Sequence, residues 1–511
     1  MLGRHRWLAT VVTVVAAALG WAVWPPRPVV EDGQAVPRLP RISPDYTGIV
    51  LPPNIAPLNF AVREDGQRFV LRIRGETGDG LEVVSRSPGI RIPPGPWRRL
   101  LAANRGQQLR WEIYAEADGQ GRRYEAIVNR VAHDAIDSHL VYRLIPPVYN
   151  QWHEVSIRQR SLTNFADSPV LEGTSLDVAC LNCHSFAAND PQRMSLGLRS
   201  QQFGNATLLA ADGQAVKLGV AFGYTAWHPS GQLVAYSTNH VRQFFHGARD
   251  EIRDVLDLES ALAYYRLDRE AKAVPGVADE QHLVTYPAWS PDGRWLYYCR
   301  ASRLWTDGAP VPPERYAEVR YDLMRVPYGI EGDRWGTPQT VLAAERTGRS
   351  ILLPRISPDG RFLLFCMCDY GCFPAFQSSS DLYLLDLATG EYDKPPINSE
   401  FSESWHSWSS NSRWIAFSSK RQGGTFTRCY LSYVDESGQV HKPLVVPQRD
   451  PEFYDSFLQT FSVPELITGP VRVSPSELAR AARAEQAQTA NAPAGEMPPL
   501  DNSDPYSQTG P

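Results

Sequence analysis

The chain has 511 residues, too many for one ordinary domain, so two to four folding units are expected. Hydrophobic residues make up 43% and charged residues 21%, which excludes a chain disordered throughout and equally a polytopic membrane protein. Lys plus Arg number 51 against 56 Asp plus Glu, a net charge of -5, so no basic excess exists to neutralise a phosphate backbone, and nucleic acid is not an expected partner.

Residues 1–30 carry Arg4, His5 and Arg6 ahead of an uncharged run from Trp7 to Trp24 that ends at Pro25 and Pro26. Basic residues before an apolar run stay on the cytoplasmic side, so the remainder is predicted to lie across the membrane. About eighteen apolar residues suffice for one span, which favours a retained single-span anchor over a cleaved signal peptide. A linker over 31–46 follows. Thereafter 37 Gly and 42 Pro in the chain point to short strands and many turns, hence a mainly β body. Alternating stretches such as RFVLRIRG, LRWEIYAEA and SHLVYRLI predict a β-sandwich-like domain over 47–165, with WRRLLAANRGQQ as its most helix-like insertion.

Residues 178–185 read VACLNCHS, in which Cys180, Cys183 and His184 form CxxCH, the attachment signature of a c-type haem. Two thiols three residues apart can reach the two vinyl groups on one porphyrin edge, and the adjacent imidazole becomes the proximal iron ligand. A zinc site would need a second ligand pair at similar spacing, and none follows. No His lies between His184 and Trp227, whereas Met194 falls ten residues on, so Met194 is the predicted second ligand, with His240 and His246 as bis-His alternatives. The expected metal ligands are thus His184 and Met194, in a haem-binding segment over 166–200 wedged between two β-domains. No catalytic residue is assigned. Of the five other cysteines, Cys366 and Cys368 would share one face of a strand, and one of them is expected to bridge to Cys372 across Gly371, with Cys299 and Cys429 elsewhere.

Four later segments repeat one another: AWHPSGQLVAYSTN from Ala226, AWSPDGRWLYYCRA from Ala288, RISPDGRFLLFCMC from Arg355 and SWSSNSRWIAFSSK from Ser407. Their turns are about 62, 67 and 52 residues apart, a spacing typical of propeller blades, and each supplies a strand end, a polar turn and an alternating strand. A lone hairpin cannot bury its apolar face, but blades packed around an axis can. This pattern resembles the TolB-like (WD40-like) β-propellers, a likeness covering about residues 200–450 and implying five or six blades over 201–465. The fourth repeat departs from the pattern, with Ser410, Asn411 and Ser412 in place of Pro-Asp-Gly, so a looser turn is expected there. Over 466–511, SPSELARAARAEQAQ predicts a short helix capped by Ser474 or Ser476, followed by a disordered tail.

In its order of parts the whole chain looks like a group of membrane-anchored bacterial propeller proteins bearing one c-type haem. That resemblance implies location on the periplasmic side of the inner membrane and no settled substrate. The leading functional expectation is electron transfer to or from a redox protein or membrane protein complex through one covalent haem c, with the propeller as docking platform. The alternatives are a haem-containing propeller oxidoreductase with its own substrate site and a non-redox binding or scaffold protein. A copper cluster is disfavoured because His228, His240, His246, His282, His406 and His441 lie in dissimilar contexts. His228 and His406, near Trp227 and Trp405, are expected to complete hydrogen-bond networks between strands. Glu400 with Glu403, and Asp450 with Glu452, are read as solvated loop residues.

Overall fold

The computed structural model describes residues 33–147, 153–177, 179–247, 252–267, 271–277, 279–485 and 487. The predicted anchor and most of the predicted tail lie outside the described residues. Among the described residues no helix is long and apolar enough to cross a membrane.

The protein is mainly β, and its larger part is a six-bladed propeller. The inner strands are Thr460–Ile467 in blade 1, Ala179–Phe186 in blade 2, Thr225–Trp227 in blade 3, His282–Trp289 in blade 4, Ser350–Ile356 in blade 5 and Glu403–Trp408 in blade 6. Each opens a sheet of at least four strands, and each touches the next around the axis until blade 6 meets blade 1. Blade 1 joins the two ends of the chain: Thr460–Ile467 pairs antiparallel with His139–Ile145, which continues to Ser156–Ser161 and Asp167–Glu172.

The ring therefore begins earlier than the sequence pattern placed it. His139–Glu172 pairs into blade 1 and not into the amino-terminal domain, and the segment expected to form a separate haem module supplies the first two strands of blade 2, Ala179–Phe186 and Arg193–Ser200. Neither blade carries the Pro-Asp-Gly turn of blades 4 and 5 or its Pro-Ser-Gly and Ser-Asn-Ser counterparts in blades 3 and 6. In blade 2 the turn is made by Ala188 and Asn189, both with positive φ (48° and 61°), and the hydrogen bond from Ala187 N to Arg193 O matches that from Ser290 N to Trp295 O in blade 4.

The amino-terminal domain has a seven-stranded and a three-stranded sheet facing each other, with Phe60 and Trp111 stacked between them at 5.8 Å. Its helix, α1 (Pro94–Ala103), falls in the predicted insertion and buries Trp97, Leu100 and Leu101. The domain docks on blade 6 at the divergent turn. Asp137 accepts from Ser410 N and Oγ at 2.8 and 2.6 Å, and Trp414 Nε1 donates to Asp134 O at 3.1 Å. That turn is not looser than its relatives. Ser409 Oγ donates to Asn411 Oδ1 at 2.6 Å, as Ser290 does to Asp292, and Ser412 takes a left-handed φ of 61°, close to the 70° of Gly293. The strain on Ser412 is offset by docking contacts that Pro-Asp-Gly would lack. Helix α2 (Pro475–Ala482) packs against the outer strands of blades 1 and 2, and Ser474 Oγ accepts from Glu477 N as the capping pattern predicted.

Candidate functional site

The inner strands share an irregularity that aims side chains at the axis. Tyr286, Leu353, Trp405 and Val463 have φ of 55°, 55°, 43° and 50°, each at the point where pairing with the second strand shifts register. Non-glycine residues held there carry strain, and such strain clusters at functional sites. The corresponding place in blade 2 falls on Cys183, between the pairs Leu181 with Leu198 and His184 with Leu196, and in blade 3 on Tyr224. Cys183, Tyr224, Tyr286, Leu353, Trp405 and Val463 therefore ring the axis, joined in its lining by His184, Thr225 and Arg355. The space they leave is about 30 Å³, room for about two waters. Aromatic rings narrow it: Tyr224 stands 4.2 Å from Tyr286 and 5.7 Å from Trp405, centroid to centroid.

The three residues of the CxxCH motif lie on one strand. Cys180 is 5% exposed, with Arg143 Nη2 3.9 Å from its sulfur. Cys183 is half-buried, its thiol pushed up by burial and opposed by the charges of Arg143, Arg199 and Arg355. Both sulfurs are free thiols. His184 is buried, and neither ring nitrogen has a hydrogen-bond partner, although a Val141 backbone group lies near. The equivalent residue in blade 6, His406, donates from Nε2 to Leu364 O at 3.0 Å. Burial holds both imidazoles down at about 3.

The donor set of the motif, two free thiols and a buried imidazole with unused nitrogens, fits a c-type haem. The closed axis does not yet offer the several hundred Å³ that a ligand of that size fills.

Met194 is not brought opposite His184. It stands on the second strand of blade 2, paired with Phe186, while Leu196 pairs with His184. All four side chains thus leave the same face of one sheet, and Met194 is buried with Val141, Ile157 and Leu196. Side chains projecting in parallel from adjacent strands, as His184 and Met194 do, cannot face each other across one bound metal. His240 lies on the second strand of blade 3 and His246 just beyond it, bound to Asp254 at 3.0 Å; neither lines the axis. His228 and His406 do link strands of adjacent blades, His228 Nε2 meeting Gly293 O at 3.1 Å.

The expected local disulfide is absent. Cys366 lies 3.8 Å from His406 Nδ1, Cys368 donates to Tyr370 O at 3.4 Å and Cys372 to Val255 O at 3.8 Å, each thiol turned to a separate partner. Glu403 is also not a solvated loop residue. It is fully buried at the start of the inner strand of blade 6, accepting from Ser399, Ser419 and Arg421. Asp450 and Glu452 are exposed, with Arg91 and Arg63 as neighbours.

Sequence reasoning missed three charged residues near the axis. Arg355 lines it. Glu465, two residues beyond Val463, accepts from Phe186 N at 3.0 Å, and its other oxygen is buried without a partner. Asp257 accepts from Asn239 at 2.7 Å. Burial pushes both carboxyls up to about 7.

These shifts predict a pH profile for the haem-free chain. The unfolded state protonates His184 and His406 near 6.5 but the folded state only near 3, so each withdraws stability as pH falls through that window. Asp257 and Glu465 act oppositely: folded, they keep protons that the unfolded chain releases near 4, so stability falls as pH rises toward 7. The two effects offset between about pH 4.5 and 6.5. Below about 4.5 the imidazoles act unopposed, joined by Glu64, which Arg38 holds at about 2. Denaturant midpoints should be flat across the plateau and then fall, at most about 1.4 kcal/mol per pH unit for each imidazole. His406→Gln should shallow the acid limb and Asp257→Asn should remove part of the loss near pH 7; unchanged limbs in both would refute these assignments.

No family model matches this sequence, and no curated protein matches it. Among solved structures, the chain is similar to an oligogalacturonate lyase in complex with manganese (13% identity, 73% of this chain and 99% of that one, TM-score 0.35). It is also similar to the Dos1 propeller (12% identity, 53% and 62%, TM-score 0.31) and to the hydrazine synthase of Kuenenia stuttgartiensis (11% identity, 48% and 76%, TM-score 0.26).

Proposed function

We propose that this chain is a covalent haem carrier built into a β-propeller, transferring electrons to or from a redox protein or membrane complex. Cys180 and Cys183 would hold haem c as thioethers, and His184 would supply a nitrogen ligand to its iron. The group itself supplies one-electron chemistry at iron. The chain's own contribution is to fix both thiols and the imidazole on one strand and to exclude water with Tyr224, Tyr286 and Trp405. The uncharged run from Trp7 to Trp24 is the proposed inner-membrane anchor, with the propeller on the periplasmic side.

The observation that carries this reading is the contrast between two equivalent histidines. His406 is hydrogen-bonded in its slot, whereas His184 is buried with both nitrogens unused. Buried polar groups are ordinarily satisfied, so an orphaned imidazole beside two free thiols is accounted for by an iron ligand role. The test is a pyridine haemochrome spectrum of the full chain exported with haem-maturation machinery. One haem per chain should survive acidic acetone extraction, Cys180→Ala with Cys183→Ala should retain less than about 5%, and His184→Ala should keep the haem but turn it high-spin. Retention of haem by the double variant would refute the attachment.

A second reading, an oxidoreductase with a small substrate on the axis, is favoured by the polar groups of Tyr224, Tyr286 and Arg355 beside the motif. A high-spin spectrum shifted by carbon monoxide would support it over a closed electron carrier.

A further inference from the structure

The middle hairpin of blade 3 is longer than the blade needs. Its first strand, Leu233–Phe245, has 13 residues against six to eight at the same place in the other five blades, and it pairs with Arg253–Arg266 out to Phe245. The pairing shifts register between Asn239 and Val241, and a bulge of this kind bends and re-aims a hairpin. Beyond it, residues 241–245 and 253–257 run on together for about 15 Å.

This arm leaves its own blade. Trp305 Nε1, just past the second strand of blade 4, donates to Leu258 O at 3.0 Å, and Phe244 stands edge-on to Tyr316 at 5.1 Å. On the blade 5 loop, the Tyr370 hydroxyl donates to Asp254, the Cys372 thiol donates to Val255 O at 3.8 Å, and the Phe376 ring lies 4.5 Å from the Arg253 guanidinium. That loop is tied to the axis in turn, because the Tyr286 hydroxyl donates to Cys372 O at 2.6 Å. The arm thus bridges blade 3 to blade 5 at one end of the axis.

Two features distinguish it from a fixed extension. The base of the hairpin gives Leu233, Val234, Tyr236, Leu262 and Tyr264 to the apolar clusters that fill the blades, whereas among the described residues no side chain over 239–258 joins any of them. An arm held by hydrogen bonds and ring edges parts at lower cost than a blade unfolds. The closed arm also leaves polar atoms poorly satisfied: the Tyr321 hydroxyl has no partner, and one Asp257 oxygen lacks a well-formed hydrogen bond although Ser260 and Glu259 N lie near. Tyr321 and Asp257 are 1% and 2% exposed, and the charge of Asp257 acts on Tyr321, Tyr224 and Cys372, which places these groups together beside the arm. Buried polar groups left in this way disfavour the closed state and gain water when it opens.

We propose that this arm is a hinged strap: closed, it seals one end of the axis, and open, swinging at Asn239, it bares Asp257 and Tyr321 to water or a small polar solute. Asn239 is the hinge post, accepting from Ser237 Oγ at 2.6 Å and donating to Asp257 at 2.7 Å and to Thr285 Oγ1 at 3.2 Å. Trp305 and Tyr370 are the clasps, one on each blade that the strap reaches. The inference does not rest on haem attachment.

The test measures how fast iodoacetamide reaches Cys372 in the full haem-free chain under native conditions. Cys372 is 3% exposed beside the strap, while Cys429, also 3% exposed but in the third strand of blade 6, reports unfolding of the ring. Mass analysis assigns the label to each thiol, and thermal melts check folding. Tyr370→Phe and Trp305→Phe each remove one hydrogen bond to the strap, and each should speed alkylation of Cys372 about fivefold, the weight of one such bond, with Cys429 unchanged. Acceleration of Cys372 by both variants supports the strap. A Cys372 rate that is unchanged in either variant, or that rises in step with Cys429, overturns it; a response to Tyr370→Phe alone would place the movement in the blade 5 loop, which Trp305 does not clasp. Because no haem is needed, such a failure would leave the attachment reading untouched.

Discussion

Ending the chain before Thr460 is expected to abolish cooperative folding of the propeller. The strand Thr460–Ile467 is the inner strand of blade 1 and pairs with His139–Ile145 along its length. It buries Phe461, Val463, Leu466 and Ile467, each less than 9% exposed. Burial of such side chains contributes about 1.5–3 kcal/mol apiece, so their loss removes about 6–12 kcal/mol, comparable to the whole stability of a typical domain. The cost is not confined to blade 1. Blade 6 loses the hydrogen bond from Leu466 N to Ser407 Oγ, and blade 2 loses the Glu465 acceptor for Phe186 N. Denaturant unfolding followed by far-ultraviolet circular dichroism and by tryptophan fluorescence should show no sharp transition for the ring in the truncated chain. Leu466→Ala, which leaves a cavity in the same strand, should retain the transition but lower stability by about 2–5 kcal/mol. A truncated chain that melts as sharply as the full one would show that blade 1 does not depend on its carboxy-terminal strand.

That closure also explains what the sequence concealed. Four blades were legible because each carries a polar turn between two strands in one continuous stretch. Blade 1 has no such stretch, since its inner strand lies about three hundred residues from its partner, and strand pairing at that separation leaves no local trace. Blade 2 was hidden differently: Ala188 and Asn189 adopt the turn without Gly, and the CxxCH string drew the segment into a separate module. Aligning Cys183, His184, Ser185 and Phe186 with Tyr286, Pro287, Ala288 and Trp289 would have exposed it. The thiols and imidazole were legible from their spacing. Arg355 was not, because one charge in a strand reads as a surface residue until the Ala and Ser of the other blades are placed in its column. Met194 was misjudged because sequence distance says nothing about face, and one strand register puts it on the same side as His184. The expected bridge to Cys372 failed for a related reason: sharing a strand face does not aim sulfurs at one another.

The closed axis makes the order of assembly decisive. In the folded ring Cys180 and His184 are 5% and 1% exposed, and the space beside Cys183 is about 30 Å³, bounded by Tyr224, Tyr286 and Trp405. A group of porphyrin size needs several hundred Å³, more than the six inner strands as placed leave beside the thiols. On the proposed reading, the thiols would be modified while the ring is still open, before Thr460–Ile467 completes blade 1. Chain purified folded and haem-free, then offered reduced haem under native conditions, should form at least tenfold less thioether than the same chain supplied with haem from 6 M guanidinium during refolding. Reduced haem is used in both arms so that the thiols meet it unoxidised and only access differs. Mass analysis of the tryptic peptide spanning Cys180 and Cys183 reads the product directly. Equal yields from the two routes would mean that Tyr224, Tyr286 and Trp405 part readily in the closed ring, and the axis would then have to be regarded as a gate that opens in the native state.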